Sequence, residues 1–221
     1  MKLLLNAAVK FVCGLLALGI LIFIPAGTLE YKNGWLFFAL LFIPMLILGV
    51  IMFLKAPELL KKRLDSKEES PLQKGVVILC GLIFVGGFVV AGLDYRFGWS
   101  RVPDWVIVTA SFVFLASYAF YAEVMRENAY LSRTVKVERD QKIIDTGLYK
   151  IVRHPMYTST ILLFLSIPVV LGSWFALTFF VIYPIIIIIR LIGEEKLLER
   201  ELPGYTEYKK RVKYRLFPFV W

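Results

Sequence analysis

A run of 34 residues without a single charge, Met156–Ile189, constrains this chain more than any other feature. As one helix it would extend about 51 Å at 1.5 Å per residue. The hydrocarbon core of a bilayer is only about 30 Å thick. Gly172-Ser173 sits near the middle of the run, and Pro168 and Pro184 flank it on either side. Glycine and proline punctuate helices. The run therefore predicts two helices folded into a hairpin, its tip at Gly172-Ser173 and its two polar flanks on the same side of a membrane.

Four earlier stretches, Leu3–Ile24, Trp35–Leu54, Gly75–Leu93 and Trp105–Ala122, are also long and apolar enough to cross. Lys10 interrupts the first and must reach an interface with its head. The chain is 59% hydrophobic and 19% charged, whereas soluble domains average about 45–50% and about 25%. Its net charge of +9 suits nucleic acid or an anionic membrane surface, and the apolar excess decides for the membrane and against nucleic acid. Ala26-Gly27-Thr28 is a poor cleavage site and more spans follow, so the first span reads as retained. The expected fold is an all-α, polytopic membrane bundle of about six transmembrane helices, with a C-terminal hairpin and a cytosolic amphipathic helix. Residues 1–125 read as a four-span scaffold and residues 126–221 as the functional region.

Lysine and arginine set the orientation. Segments 55–74, 123–155 and 190–221 carry six, seven and eight of them, against one in 25–34 and two in 94–104. Six spans put all three basic segments, and both termini, in the cytosol. Glu194–Lys213 mixes charges with Leu197, Leu198, Leu202, Tyr205 and Tyr208, as an amphipathic helix does, broken at Pro203-Gly204. Cys13, Cys80 and one histidine give no metal-ligand spacing. Gly81, Gly86 and Gly87 lie inside an uncharged run. They suit close helix contact, as with a partner copy, rather than the glycine-rich turn of a doubly wound sheet. The oligomeric state stays open. Polar residues of the first 125 positions lie between spans and are expected to form no cluster.

The last third is different. Gln141–Tyr157 brings the sole histidine, His154, to the mouth of a span, and Arg190 and Glu194-Glu195 lie just past the far end of the hairpin. Each residue has an ordinary reading alone: arginines as interfacial anchors, His154 as the cap before Pro155, the glutamates as a solvated face. Together, beside lipid, such a cluster is a functional candidate.

Gly147-Leu148-Tyr149, then Val152-Arg153-His154-Pro155-Met156-Tyr157, then Arg190, Glu194-Glu195, Leu202-Pro203-Gly204-Tyr205-Thr206-Glu207-Tyr208, Val212 and Arg215-Leu216-Phe217-Pro218 form a spaced pattern. It resembles the isoprenylcysteine carboxyl methyltransferase and phospholipid methyltransferase superfamily over about residues 135–221. The resemblance implies S-adenosylmethionine as cofactor and a lipidic or prenylated acceptor. It implies cofactor contacts from Gln141, Lys142, Ile143 and Ile144, and a pocket lined by Tyr149, Arg153, His154, Pro155, Met156 and Tyr157. Glu194 would hold a polar group of the cofactor, and Arg190 would face the acceptor. Arg190, Glu194 and Glu195 are the implied catalytic residues. Some relatives have histidine where this chain has Gln141.

The chemistry suits these residue types. Aromatic faces favour a cation such as a sulfonium, and arginine pairs a carboxylate bidentately. A carboxylate acceptor needs no strong base; an amine must lose a proton, which Glu195 or His154 could take. Arg190 leans the choice toward a carboxylate. Two other readings stay open. An NADPH-dependent sterol-type reductase shares the Arg-His-Pro run and the tyrosine-rich end, but usually has asparagine where Met156 stands and more spans. A non-enzymatic membrane protein such as a transporter would place polar residues in mid-span, and the first four spans hold little beyond Lys10.

Overall fold

The computed structural model describes residues 2–65, 71–132, 134, 135, 137 and 140–221. Lys67, Arg133, Lys136 and Arg139, counted above among the basic flanks, lie outside them. All regular structure among the described residues is helical: α1 (Lys2–Ala26), α2 (Lys32–Lys55), α3 (Pro57–Leu64), α4 (Pro71–Phe97), α5 (Asp104–Glu127), α6 (Pro155–Val170), α7 (Trp174–Phe180), α8 (Tyr183–Glu201) and α9 (Tyr205–Arg211), with a 3₁₀ turn at Gly147–Lys150.

Among the described residues, five helical stretches are long and apolar enough to cross a membrane: α1, α2, Gln73–Phe97 of α4, α5, and Trp174–Glu201, in which α7 and α8 follow on. The expectation was about six. The first arm of the hairpin, α6, is apolar but has only 16 residues, about 24 Å of helix. The hairpin itself forms where the charge-free run predicts it. Leu171-Gly172-Ser173 turns the chain, and Gly172 has φ +76°, a conformation that favours glycine.

Packing is built from small residues against rings. A Cβ added to Gly86 or Gly87 on α4 would lie 2.8 and 2.5 Å from the rings of Phe179 and Phe180 on α7, and one on Gly92 would lie 2.5 Å from the carbonyl of Ile22 on α1. The glycine-rich α4 thus spends this face on contacts within the chain. Buried Phe37, Phe88, Phe114 and Phe180 fill the centre. Phe37 and Phe114 meet edge to face at 6.0 Å, the geometry that aromatic quadrupoles favour. The Lys10 ammonium donates to the carbonyl of Leu64 at the C-terminus of α3, where a helix dipole favours a cation.

One expectation is corrected at the hairpin tip. The front half does form a polar cluster. Asp94, 1% exposed, accepts hydrogen bonds from the Ser100 backbone N–H at 2.7 Å and from the hydroxyls of Ser100 and Ser173. Tyr31 donates its hydroxyl to the Leu171 carbonyl. These residues are scattered in sequence, and only the folded chain joins them.

Gly92→Ala is expected to push α1 off α4, at a cost of about 1–3 kcal/mol, and to lower the thermal midpoint in detergent. Gly81→Ala meets nothing within 4 Å. It is expected to hold or raise the midpoint, since alanine is about 1 kcal/mol the better helix former.

Candidate functional site

Opposite the tip, both ends of the hairpin come together. Arg153 donates its backbone N–H to the Tyr214 carbonyl and His154 to that of Arg215, both at 2.9 Å. Thr158 Oγ1 donates to the Leu216 carbonyl at 2.7 Å. The tail after α9 is thereby tied to the start of α6.

Glu195 on α8 sits inside this knot. Its Oε1 accepts from Arg153 Nε at 2.7 Å and lies 3.3 Å from His154 Nε2, and its Oε2 accepts from Arg215 Nε at 2.9 Å. Arg153 also donates to the carbonyls of Val212 and Lys213, at 2.7 and 2.9 Å. Glu195 is 3% exposed and does not line the cleft described next. The sequence reading counted it as a catalytic candidate and proton acceptor. In the structure both of its oxygens are engaged by basic side chains.

Glu194 turns the other way. Tyr157 donates its hydroxyl to Glu194 Oε2 and accepts from Arg190 Nε at 3.1 Å. A spacing of four puts Arg190 and Glu194 on one face of α8, and the buried phenol bridges them. The His154 ring stacks on Tyr157 with centroids 5.8 Å apart.

These groups border a cleft of about 880 Å³, including space open to solvent. Gln141, Lys142, Ile143, Ile144, Tyr149, Arg153, His154, Met156, Tyr157, Arg190 and Glu194 all line it. Pro155 does not: it is buried as the first residue of α6, where it sets the helix start. Sequence reasoning missed the wall formed by Asn128, Tyr130, Ser132 and Thr134, which follows α5. Tyr205 and Tyr208 were read as one side of an amphipathic helix, yet they also line the cleft. Tyr205 is 4% exposed and its hydroxyl has no hydrogen-bond partner among the described residues.

Local contacts hold the cleft open. Asn128 Nδ2 donates to the Tyr149 hydroxyl at 2.9 Å, and Tyr208 donates to the Tyr149 carbonyl at 2.7 Å. Burial pushes the phenols of Tyr149 and Tyr208 well above their usual pKa. Gly147 has φ +47°, and a Cβ there would fall 1.6 Å from Glu127 Oε1. The Glu127 carboxylate occupies that space to accept the Leu148 N–H at 3.0 Å.

The model of the phospholipid methyltransferase family matches residues 105–203. The match begins in the first turn of α5 and ends just before α9, so it takes in the whole hairpin and most of the cleft. Over these residues, a little under half of the chain, the sequence is similar to that family. Comparison with curated proteins returned no match.

Glu195→Ala leaves Arg153 buried without its carboxylate. It is expected to cost about 3–5 kcal/mol, as removal of one partner from a buried pair does, and to lower the thermal midpoint far more than Glu194→Ala. Gly147→Ala is expected to displace Glu127 and the 3₁₀ turn, seen as faster amide exchange at Leu148 and Tyr149 by hydrogen-exchange mass spectrometry.

Proposed function

We propose that this chain is an S-adenosylmethionine-dependent methyltransferase acting on a lipidic or prenylated, carboxylate-bearing acceptor at the cytosolic membrane face. The observation that carries the reading is the Arg190–Tyr157–Glu194 bridge at the wall of the cleft, inside a region that matches a methyltransferase family.

The donor set fits the cofactor. Glu194 supplies a carboxylate for its ammonium group, and the tyrosine-rich wall supplies faces that favour a cation. Ile143, Leu197 and Leu202 supply apolar surface. The buried, unpartnered Tyr205 hydroxyl is a polar atom that a ligand would satisfy, since leaving one unmet costs about 1–3 kcal/mol. When bound, the cofactor supplies an electrophilic methyl group. The protein's task is then orientation, which alone can lower a barrier by about 7–11 kcal/mol.

A carboxylate acceptor suits the side chains because it needs no proton removed. Glu195 is tied to Arg153 and Arg215, and His154 Nε2 faces Glu195. Arg190 would pair the acceptor anion. The similarity to phospholipid methyltransferases favours a second reading, a phospholipid acceptor. An amine headgroup would then have to lose a proton. The cytosolic placement is supported by α3, whose Lys62 and Arg63 reach the carbonyls of Ala129 and Ser132 beside the cleft. Basic segments thus gather at the site end of the molecule.

Methyl transfer from labelled cofactor to a panel of prenylcysteine, fatty acyl and phospholipid acceptors tests the reading. Glu194→Ala is expected to weaken S-adenosylhomocysteine binding about tenfold or more, given about 1.5–3 kcal/mol for a hydrogen bond to a charged group. Arg190→Ala is expected to spare that binding and depress turnover. If neither variant changes binding or turnover, the site assignment is wrong. Tight binding of NADPH without S-adenosylhomocysteine would replace this function with the reductase reading.

A further inference from the structure

A second cavity is lined mostly by residues that precede the region matched by the family, with Tyr118, Tyr121 and Met125 of α5 inside it. It encloses about 1350 Å³, including space open to its surroundings, between α1, α2, α3 and α5. Its floor is apolar: Leu60 and Met125 are buried, and Phe11, Met45 and Tyr118 are half-buried. On its rim Leu4, Val12, Leu46 and Val50 are each at least half exposed, so it opens sideways along the outer face of α1 and α2. Gly49 lines it, and a Cβ there meets nothing within 4 Å. Among the described residues, Lys10 and Arg63 are the charged ones that line it.

Arg63 stands where this groove meets the cleft. Its NH1 donates to the Ser132 carbonyl at 3.1 Å and lies 4.0 Å from Met156 Sδ, and its NH2 donates to the Tyr121 hydroxyl. Ser132 and Met156 line the cleft, whereas Tyr121 lines the groove.

We infer that this groove takes the apolar tail of the methyl acceptor and that Arg63 binds an anionic group at the tail's inner end. The inference rests on the function proposed above and adds to it a place for the acceptor. An apolar trough facing hydrocarbon takes up a chain from the bilayer without exposing it to water. A guanidinium is the side chain best shaped to meet a carboxylate or phosphate with two parallel N–H bonds. Charge complementarity and apolar lining together therefore select an anionic amphiphile. Its head is captured at Arg63, beside Met156 on the cleft wall, and passes from there to Arg190 for methyl transfer. A soluble acceptor would use neither feature.

The full-length protein in phosphatidylcholine vesicles can be photolabelled with a diazirine analogue of palmitate, and the labelled residues mapped by mass spectrometry. Labelling is expected to concentrate on Phe11, Met52 and Tyr118. Gly49→Phe fills open space rather than a packed contact, and is expected to cut that labelling about tenfold, the effect of about 1.4 kcal/mol. Arg63→Gln is expected to weaken capture of the palmitate analogue about tenfold, but not that of a diazirine alkane without the carboxylate. Both variants should bind S-adenosylhomocysteine as the parent does. Labelling spread evenly over the outer helix faces, or unchanged by Gly49→Phe, overturns the groove. Equal loss of both probes in Arg63→Gln overturns the role of Arg63. Labelling requires no turnover, so failure of the parent to bind S-adenosylhomocysteine would count against the proposed function alone.

Discussion

The buried carboxylate of Glu195 is the contact on which the working end of the molecule depends. Two segments distant in sequence, one carrying Arg153 and His154 and the other Arg215, converge on it. Taking a carboxylate out of water costs several kcal/mol, which is offset only when its oxygens are fully engaged by charged donors. That condition is met here, and meeting it sets the rotation of α8. Successive residues on a helix point about 100° apart. With Glu195 turned inward, Glu194 turns toward the cleft, and Arg190, one turn earlier, shares its face. The tail after α9 is held by the same knot, because Arg153 also binds the carbonyls of Val212 and Lys213.

The far end follows the same logic with different residues. Asp94 is enclosed by the Ser100 and Ser173 hydroxyls and a backbone N–H, and it ties the hairpin tip to the α4–α5 turn. Between the two polar ends the helices carry almost no charge. In a bilayer, lipid tails are as apolar as the helices, so burial does little to hold helices together and close packing must do so. The phenylalanine rings of α7 set into the glycines of α4, and Gly92 set against α1, are that packing. The outer faces keep large apolar side chains such as Leu16, Ile47 and Ile78 exposed, as a lipid-facing surface requires.

Much of the site was legible because its residues bracket a feature that is itself legible. The charge-free run ends at His154 on one side and Arg190 on the other, so predicting the hairpin also predicted their approach. The break at Pro203-Gly204 was legible for a similar reason, and Gly204 has φ +85° between α8 and α9. Less was legible where roles depend on phase. Glu194 and Glu195 are adjacent and chemically identical, yet one lines the cleft and the other is locked behind it. Asn128 carried no signal, since nothing near it in sequence marks it as the partner of Tyr149, 21 positions away.

What the sequence determined by itself is the membrane-spanning character, the helical class and the hairpin. Hydrocarbon thickness and the need to satisfy backbone hydrogen bonds without water act along the chain, and can be read from it one segment at a time. What only the tertiary structure decided is which carboxylate faces the cleft, that Asp94 is fully enclosed, and that Arg63 stands between the groove and the cleft. Those outcomes depend on the rotation of each helix and on distances between segments remote in sequence. No local pattern encodes them, because they arise only when packing brings the segments within a few ångströms.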